Sequence, residues 1–501
     1  MALDDAPLTA GDLRQIADRC WSLGQAKAAL DAAWNALERT PHERAIKRLL
    51  VDLLTRFPSE LTAERRDLYL ALLTDREVEP DDLSSAGCHL LLRHYQQNEQ
   101  TKWPALEALA QALQNDELAM ALLREAPIGL AGAERLLSRV RRWLLFSERR
   151  PAYPKLVAAF ATQALLNGGA WPFDEVERAR LRDSEGDIVA AYLPARRSGR
   201  IADTCPDPVT RAVAEQYESW PFPPWTRITL RDSQRLPEVV RAFDADAAAA
   251  LPVDANVLIA GCGTGRDAAA IAQSFPDIRI TAIDLSEASL DHARRRCSEL
   301  GITRVRFLRL DLHDVAELGE NFHAISCCGV LHHLPDPERG MRALANVLHP
   351  SGVMRIMIYS RIERFGTDGG RTLIRDLLDQ PISDDLLRRV RERLIQSEHP
   401  LAGRLRNYRD FFTLAGVHDL LLHRHEDPFD LPRLKRALQT AGLRVLAFQL
   451  PPDVAARYEA MFPDDSKQRD IDALTGFETK QGGHLIGNYW FWCQKTADRK
   501  N

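Results

Sequence analysis

Val257-Leu258-Ile259-Ala260-Gly261-Cys262-Gly263-Thr264-Gly265 is an apolar run that ends in three alternating glycines. The run reads as a short buried strand. The glycines read as a turn that brings backbone close to a ligand before a helix begins near Asp267. Asp284 closes the next apolar run, Arg279–Ile283. It falls about 20 residues after the turn, where a carboxylate can accept both hydroxyls of a ribose.

The alternation continues outward from this unit. Asp267–Phe275 and Ser286–Leu300 carry helical periodicity, the second stopped by Gly301. Arg306–Leu310, Phe322–Cys328 and Gly352–Tyr359 read as further strands, with a helix over Pro337–Leu348. Strands separated by helices predict an α/β fold, a doubly wound Rossmann-like sheet. Leu431–Ala441 is a helix stopped by Gly442, and Leu443–Leu450 and Ile486–Gln494 are strand-like. These segments, 431–501, would complete the sheet. The stretch 361–430, mostly helical, is too long for a plain loop. It predicts a helical cap insertion over the C-terminal edge of the sheet, where such folds bind ligands.

Three features separate the enzymes that share a glycine turn. The turn is GxGxG rather than GxGxxG. The third strand ends Leu310-Asp311-Leu312, with an acid where an adenine amino group can bond. The fourth runs into Gly329-Val330-Leu331-His332-His333-Leu334-Pro335-Asp336-Pro337. Together these residues resemble the class I S-adenosylmethionine-dependent methyltransferases, most closely over residues 250–360. The resemblance implies S-adenosyl-L-methionine as cofactor. It implies cofactor contact by Gly261, Gly263 and Gly265, ribose contact by Asp284 and adenine contact by Asp311 and Leu312. Cys328 and Gly329 would then lie near the methionine part. Many members carry an acid two positions before the first glycine; this chain has Ile259.

A narrower resemblance, to bacterial methyltransferases with N-terminal tetratricopeptide repeats, rests on more of the chain. Residues 1–150 read as an all-α domain rich in Ala and Leu. Ala17, Gly24, Ala29, Ala36 and Pro41 fall at the small-residue and proline offsets of one repeat, although Ala33 stands where a large residue is usual. A generic helical domain fits the same pattern. Residues 151–209 read as a connector broken by Pro151, Pro154, Pro172 and Pro194, with a basic cluster at Arg196, Arg197 and Arg200. The methyltransferase core, 210–360, opens with Tyr217-Glu218-Ser219-Trp220-Pro221-Phe222-Pro223-Pro224-Trp225. This aromatic-proline strap is either a rigid interdomain element or a lid on the acceptor. Arg409-Asp410-Phe411-Phe412, Asp419 through His423, Glu426 and the ending Asn488-Tyr489-Trp490-Phe491-Trp492 belong to the same resemblance. Asp427 stands where the group has a His.

Composition bounds the rest. The chain has 501 residues, 45% hydrophobic and 27% charged, as in ordinary globular proteins. Lys and Arg number 66 and Asp and Glu 71, a net charge of −5. That argues against nonspecific nucleic-acid or anionic-membrane binding. No apolar stretch is long enough to span a membrane, and MALDDAPLTAGD is no secretory leader. Eight cysteines without a CxxC pair, including Cys327-Cys328 in an apolar run, fit reduced thiols in a cytoplasmic protein.

Methyl transfer requires an aligned acceptor and often a base. His332 is the candidate base, beside the expected methyl position; structuring the loop is the other reading open to it. His333 reads more readily as a loop or acceptor residue, and Tyr359 as a second catalytic candidate. Tyr217, Trp225, Tyr408 and His423 are acceptor-binding candidates. Arg404, Arg406 and Arg409, with the aromatics around them, suit an acceptor with an acidic or aromatic part. His418, His423, His425 and Glu426 lack a diagnostic metal spacing, so no metal is expected. The reading is a methyltransferase acting on a small molecule or a polypeptide, with helices that offer a protein partner a surface. A noncatalytic cofactor-binding scaffold is the alternative.

Overall fold

The computed structural model describes residues 15–16, 19–20, 25–96, 106–193, 207–480 and 487–496. Ala17, Gly24, the Arg196–Arg200 cluster and Ile486 lie outside them. The chain divides into two compact units. One comprises residues 1–196, 224–230 and 379–417, the other 197–223, 231–378 and 418–501.

The first unit is helical. Ala26–Arg39, Arg44–Arg56, Arg66–Thr74, Pro80–Gln96, Glu117–Glu125, Ala131–Phe146 and Pro154–Asn167 are its main early helices. Their apolar stripes build one core, from Trp34, Leu50 and Tyr69 through Leu123 and Leu137 to Phe160, Trp171 and Tyr192. Residues 151–193 are therefore part of this core and not the connector their prolines suggest. Pro154 sits in the first turn of its helix, where a missing N–H costs nothing, and Gly168 ends that helix at φ 67°.

The segment 379–417 is built into the same unit. Arg391, 1% exposed at its side chain, ion-pairs with Glu134 at 2.7 Å and donates to the carbonyls of Phe411 and Ala170. Arg388 donates to the carbonyl of Gly169. So the cap expected over 361–430 is divided, and its middle packs on helices that are remote in sequence. Periodicity shows that helices exist there but not which core they join.

The second unit is a seven-stranded sheet in the order β3-β2-β1-β4-β5-β7-β6. The strands are β1 Asn256–Ala260, β2 Arg279–Asp284, β3 Val305–Arg309, β4 Phe322–Cys328, β5 Leu348–Ile358, β6 Leu443–Phe448 and β7 Tyr489–Lys495. β1 to β5 are parallel, and β7 enters antiparallel between β5 and β6. Both faces are covered, as a parallel sheet requires. On β1, Leu258 and Ala260 enter one core and Val257 and Ile259 the other. Ile259 is packed in the second of these cores. The strand order reverses between β1 and β4, so Gly261 and Gly329 lie at the two strand ends that flank the switch point. Among the described residues, no helix is long and apolar enough to cross a membrane.

Candidate active site

The glycine turn is closed on itself. The amides of Gly261 and Cys262 both donate to the carbonyl of Ile283 at 2.9 Å, and that of Gly265 to Cys262. The amide of Gly263 donates to Asp284 Oδ2 at 2.7 Å. Thr264 is held by the strap, its amide on the Phe222 carbonyl and its hydroxyl on the Pro223 carbonyl at 2.6 Å. Each glycine has a steric reason. A Cβ on Gly261 would meet Val330 at 2.3 Å, on Gly263 the Phe222 carbonyl oxygen at 2.7 Å, and on Gly265 Ala293 at 2.5 Å. With φ of 72°, 50° and 81°, all three are also in the left-handed region. No amide of the turn is left for a phosphate. A pyrophosphate would need them, whereas a sulfonium nucleoside would not.

Asp284 is half-buried, and its other oxygen accepts from the amide of Ser286 at 2.9 Å. Burial raises its carboxyl above the ordinary value, and the amides of Ser286 and Gly263 work against the rise. Asp311 caps the turn after β3, accepting from the His313 amide at 2.8 Å and facing its Nδ1 at 3.2 Å. Leu312 is buried beside it. Cys328 ends β4 with its thiol 3.5 Å from the Ser326 hydroxyl. Gly329, at φ 77°, donates to the Met357 carbonyl.

Past Gly329 the chain makes one 3-10 turn, Leu331–His333, and the two histidines take different roles. His332 is fully buried and stacks on Tyr359, with ring centroids 3.8 Å apart. Its Nδ1 accepts from the Tyr359 amide at 3.2 Å, so the proton of the neutral ring sits on Nε2. That Nε2 is buried with no partner among the described residues. His332 thus has no lone pair to offer an acceptor, and burial holds it well below the usual imidazole value. The candidate base of the sequence reading is a staple between the β4 loop and the end of β5.

His333 is arranged the other way. Its Nδ1 donates to the His425 carbonyl at 3.0 Å, which leaves the lone pair on Nε2. Its ring stacks on His423, centroids 3.7 Å apart. Nδ1 of His423 accepts from the His425 amide at 3.1 Å, so Nε2 carries its proton and donates to the Tyr217 hydroxyl at 3.1 Å. Tyr217 in turn donates to Asp419 Oδ1 at 2.8 Å. Tyr359 donates to Asp419 Oδ2 at 3.4 Å. Asp419 and His423, four residues apart, occupy one face at the end of Leu414–Leu422.

Residues 257–352 match the family described as "Methyltransferase domain". An uncharacterised protein of Synechococcus sp. is 34% identical over 271 residues, 48% of this chain and 61% of that protein. The ubiquinone biosynthesis O-methyltransferase of Bordetella avium is 36% identical over 98 residues, 19% of this chain and 39% of that enzyme. The chain thus spans less than two thirds of either relative. Among solved structures, PKMT2 from Rickettsia typhi in complex with AdoHcy aligns with a TM-score of 0.42 at 18% identity, over 55% of each chain.

Around the methyltransferase domain the structure brings together His332, His333, Tyr359, Tyr217 and His423, and adds Asp419, Arg364 and Glu426. Arg364 lies over the Tyr359 ring, 5.1 Å from its centroid, donates to the Leu420 carbonyl and pairs with Glu426. The acceptor candidates Trp225 and Tyr408 belong to the helical unit. So do the cations expected to meet an acidic acceptor. Arg406 caps the carbonyls of Leu394, Ile395 and Ser397, and Arg409 pairs with Asp82. Asp427, at the group's His position, makes a bidentate pair with Arg433 at 2.6 and 2.7 Å. Asp419 was not among the candidate site residues. Its sequence signals were its place in the Asp419–His423 segment of the narrower resemblance and its helical spacing to His423.

His333, Asp419 and His423 also offer three ligand atoms within 4.8 Å of one another. A metal-bound histidine donates its second nitrogen to a carbonyl or carboxylate. His333 has that arrangement. His423 has the reverse, because its Nδ1 is already an acceptor. The donor set does not suit a metal ion in this tautomeric state. The four residues expected as a histidine-glutamate cluster are separated: His425 bonds the Leu334 carbonyl and Glu426 bonds Arg364.

Proposed function

We propose that the protein is an S-adenosylmethionine-dependent methyltransferase that holds its acceptor at the C-terminal ends of β4 and β5. The observation that carries this reading is the closed glycine turn beside a half-buried Asp284, within residues that match a methyltransferase domain. Bound there, the cofactor supplies an electrophilic methyl group on sulfur. Asp284 would accept the ribose hydroxyls with its remaining lone pairs. Asp311, with Leu312 packed beside it, would meet the adenine. Gly261, Gly263 and Gly265 would line the near wall, with Cys328 and Gly329 toward the methionine part.

The strap supports the same reading. Ser286 opens the helix after β2, and its hydroxyl donates to the Tyr217 carbonyl at 3.1 Å and lies 3.0 Å from Glu218. Glu218 also accepts from the Ala288 amide. Tyr217 to Pro223 therefore runs along the cofactor side of the sheet, with the Tyr217 side chain on the acceptor side. Tyr217, Tyr359, His333 and His423 would line the acceptor, and His332 would fix the loop. The relatives include a ubiquinone biosynthesis O-methyltransferase, and a protein acceptor through tetratricopeptide-like helices is equally part of this proposal. Calorimetry with S-adenosylmethionine, its demethylated product and a nicotinamide dinucleotide tests it. The first two should bind and the third should not. Binding of the dinucleotide alone would overturn it.

A further inference from the structure

Asp419 is the charged group in the acceptor cluster without a charged partner. Its side chain is 8% exposed, and the only protein groups on it among the described residues are the Tyr217 and Tyr359 hydroxyls and, at 3.9 Å, His423. The other acid nearby, Glu426, has Arg364. The imidazoles cannot supply the missing charge. His332, His333, His418 and His423 are all held below the usual value, chiefly by burial. A buried carboxylate with two phenol donors and no cation is costly unless a ligand brings one. The rings beside it, Tyr217 and Tyr359, are both only partly buried and suit a cation on their faces.

Resting on the methyltransferase reading, we propose that the acceptor is an amine, anchored as its ammonium by Asp419 between the Tyr217 and Tyr359 hydroxyls and relieved of a proton by Nε2 of His333. A carboxylate acceptor would be repelled by Asp419, and an alcohol or phenol would leave that charge unpaired. His333 is the group with a lone pair facing the cluster, because its Nδ1 is committed to the His425 carbonyl. At neutral pH it is unprotonated, pushed down to about 4 by burial while Asp419 pulls it up. The proton moves from nitrogen to His333, and the freed lone pair forms the N–CH3 bond. As the S–CH3 bond breaks, its electrons return to sulfur. Asp419 then faces both the methylated ammonium and the imidazolium. Arg364 and Arg424 are the cations near the histidines, and Arg364 is paired with Glu426, whose carboxyl burial pushes up to about 7.

The test uses the full chain, methyl-labelled S-adenosylmethionine and a whole-cell lysate as the source of acceptor. One portion of the lysate has its amines acylated with an N-hydroxysuccinimide acetate, followed by hydroxylamine to restore hydroxyls. Label incorporation should fall at least tenfold in that portion. Full incorporation after amine blocking would overturn the amine while leaving the methyltransferase reading intact. No incorporation in untreated lysate would remove both. Asp419→Asn should lose at least tenfold in incorporation at unchanged cofactor affinity. Loss of cofactor affinity in that variant would mean that Asp419 pairs with the cofactor's own cation, and would also overturn the proposal. His333→Gln should lower turnover at saturating acceptor and flatten its acid limb, whereas a packing role would leave the pH profile unchanged.

Discussion

The imidazole of His332 lies on the Tyr359 ring, 22° from parallel and 3.8 Å between centroids, and accepts the Tyr359 backbone amide at Nδ1. One side chain thereby ties the β4 loop to the first residue past β5. The carbonyl of His332 also accepts from the Asp427 amide at 2.7 Å. A residue so committed holds geometry. His332→Asn places Oδ1 where Nδ1 was and should keep turnover within a few-fold. His332→Ala leaves the amide unpaired and a cavity under Tyr359, and should lower stability by about 2–4 kcal/mol. Thermal unfolding and turnover of both variants check this. Lost turnover in the Asn variant at an unchanged melting temperature would put His332 in the chemistry instead.

Asp284 orients the turn through Gly263, and the proposal gives it the cofactor's ribose as well. Asp284→Ala should weaken S-adenosylmethionine by about 1.5–3 kcal/mol for each charge-assisted bond lost. It should also loosen the turn, because two backbone amides lose their acceptor. Calorimetry measures the first effect and hydrogen exchange at Gly263 the second. Unchanged affinity would reject the ribose assignment.

The sheet was legible because its signals are local. Val257–Ala260 ends at the glycines, Asp284 ends β2 and Gly301 ends the following helix, and each is a near-neighbour rule. The cofactor side followed from those strand ends. What the sequence hid depends on partners remote in the chain. Nothing in the Arg388–Arg391 stretch announces Gly169 and Glu134 as its partners, so the division of the cap at 379–417 was not visible. The roles of His332 and His333 differ through the Tyr359 amide and the His425 carbonyl, and adjacent identical residues carry no sign of that. Asp419 was legible only as part of a resembling segment, because its partners, Tyr217 and Tyr359, lie 202 and 60 positions away.

Gly263 tests whether the strap and the turn are one structure. At φ 50° with the Phe222 oxygen 2.7 Å from its would-be Cβ, it tolerates no side chain without moving backbone. Gly263→Ala should cost about 1–3 kcal/mol and displace Phe222. Tryptophan fluorescence from Trp220 should change with it. A variant with unaltered stability and fluorescence would mean that the strap is not seated on the turn.

In the helical unit the same logic applies to Arg391 and Glu134, paired at 2.7 Å and 3.2 Å and both buried. Glu134→Ala leaves a guanidinium in the core with only the Phe411 and Ala170 carbonyls. The expected loss is about 3–5 kcal/mol. Replacing both partners with apolar residues of similar size should recover much of it, as a double-mutant cycle in denaturant would register.

His418 gives a prediction in pH. It is fully buried, its ring lies 4.7 Å from that of Trp220, and neither nitrogen has a partner among the described residues. Burial, aided by the charge of Arg424, pushes its imidazole down to about 3 from the ordinary 6.5. Between those values the folded protein holds His418 neutral while the unfolded chain takes a proton. Unfolding then consumes a proton, and stability falls as pH falls, by about 1.4 kcal/mol per pH unit from this residue. Above about pH 7.5 both states are neutral and the contribution is flat. His418→Phe keeps a ring against Trp220, removes two unsatisfied polar atoms and cannot take the proton. Its stability relative to the natural chain should therefore be level above neutrality and rise steadily below pH 6.5, reaching a gain of about 2.7 kcal/mol near pH 4.5. Denaturant unfolding of the two proteins at matched pH values measures the difference directly, and cancels the other titrating groups they share. A difference that stays constant from pH 8 to 4.5 would mean that His418 protonates as readily in the folded protein as in the unfolded chain.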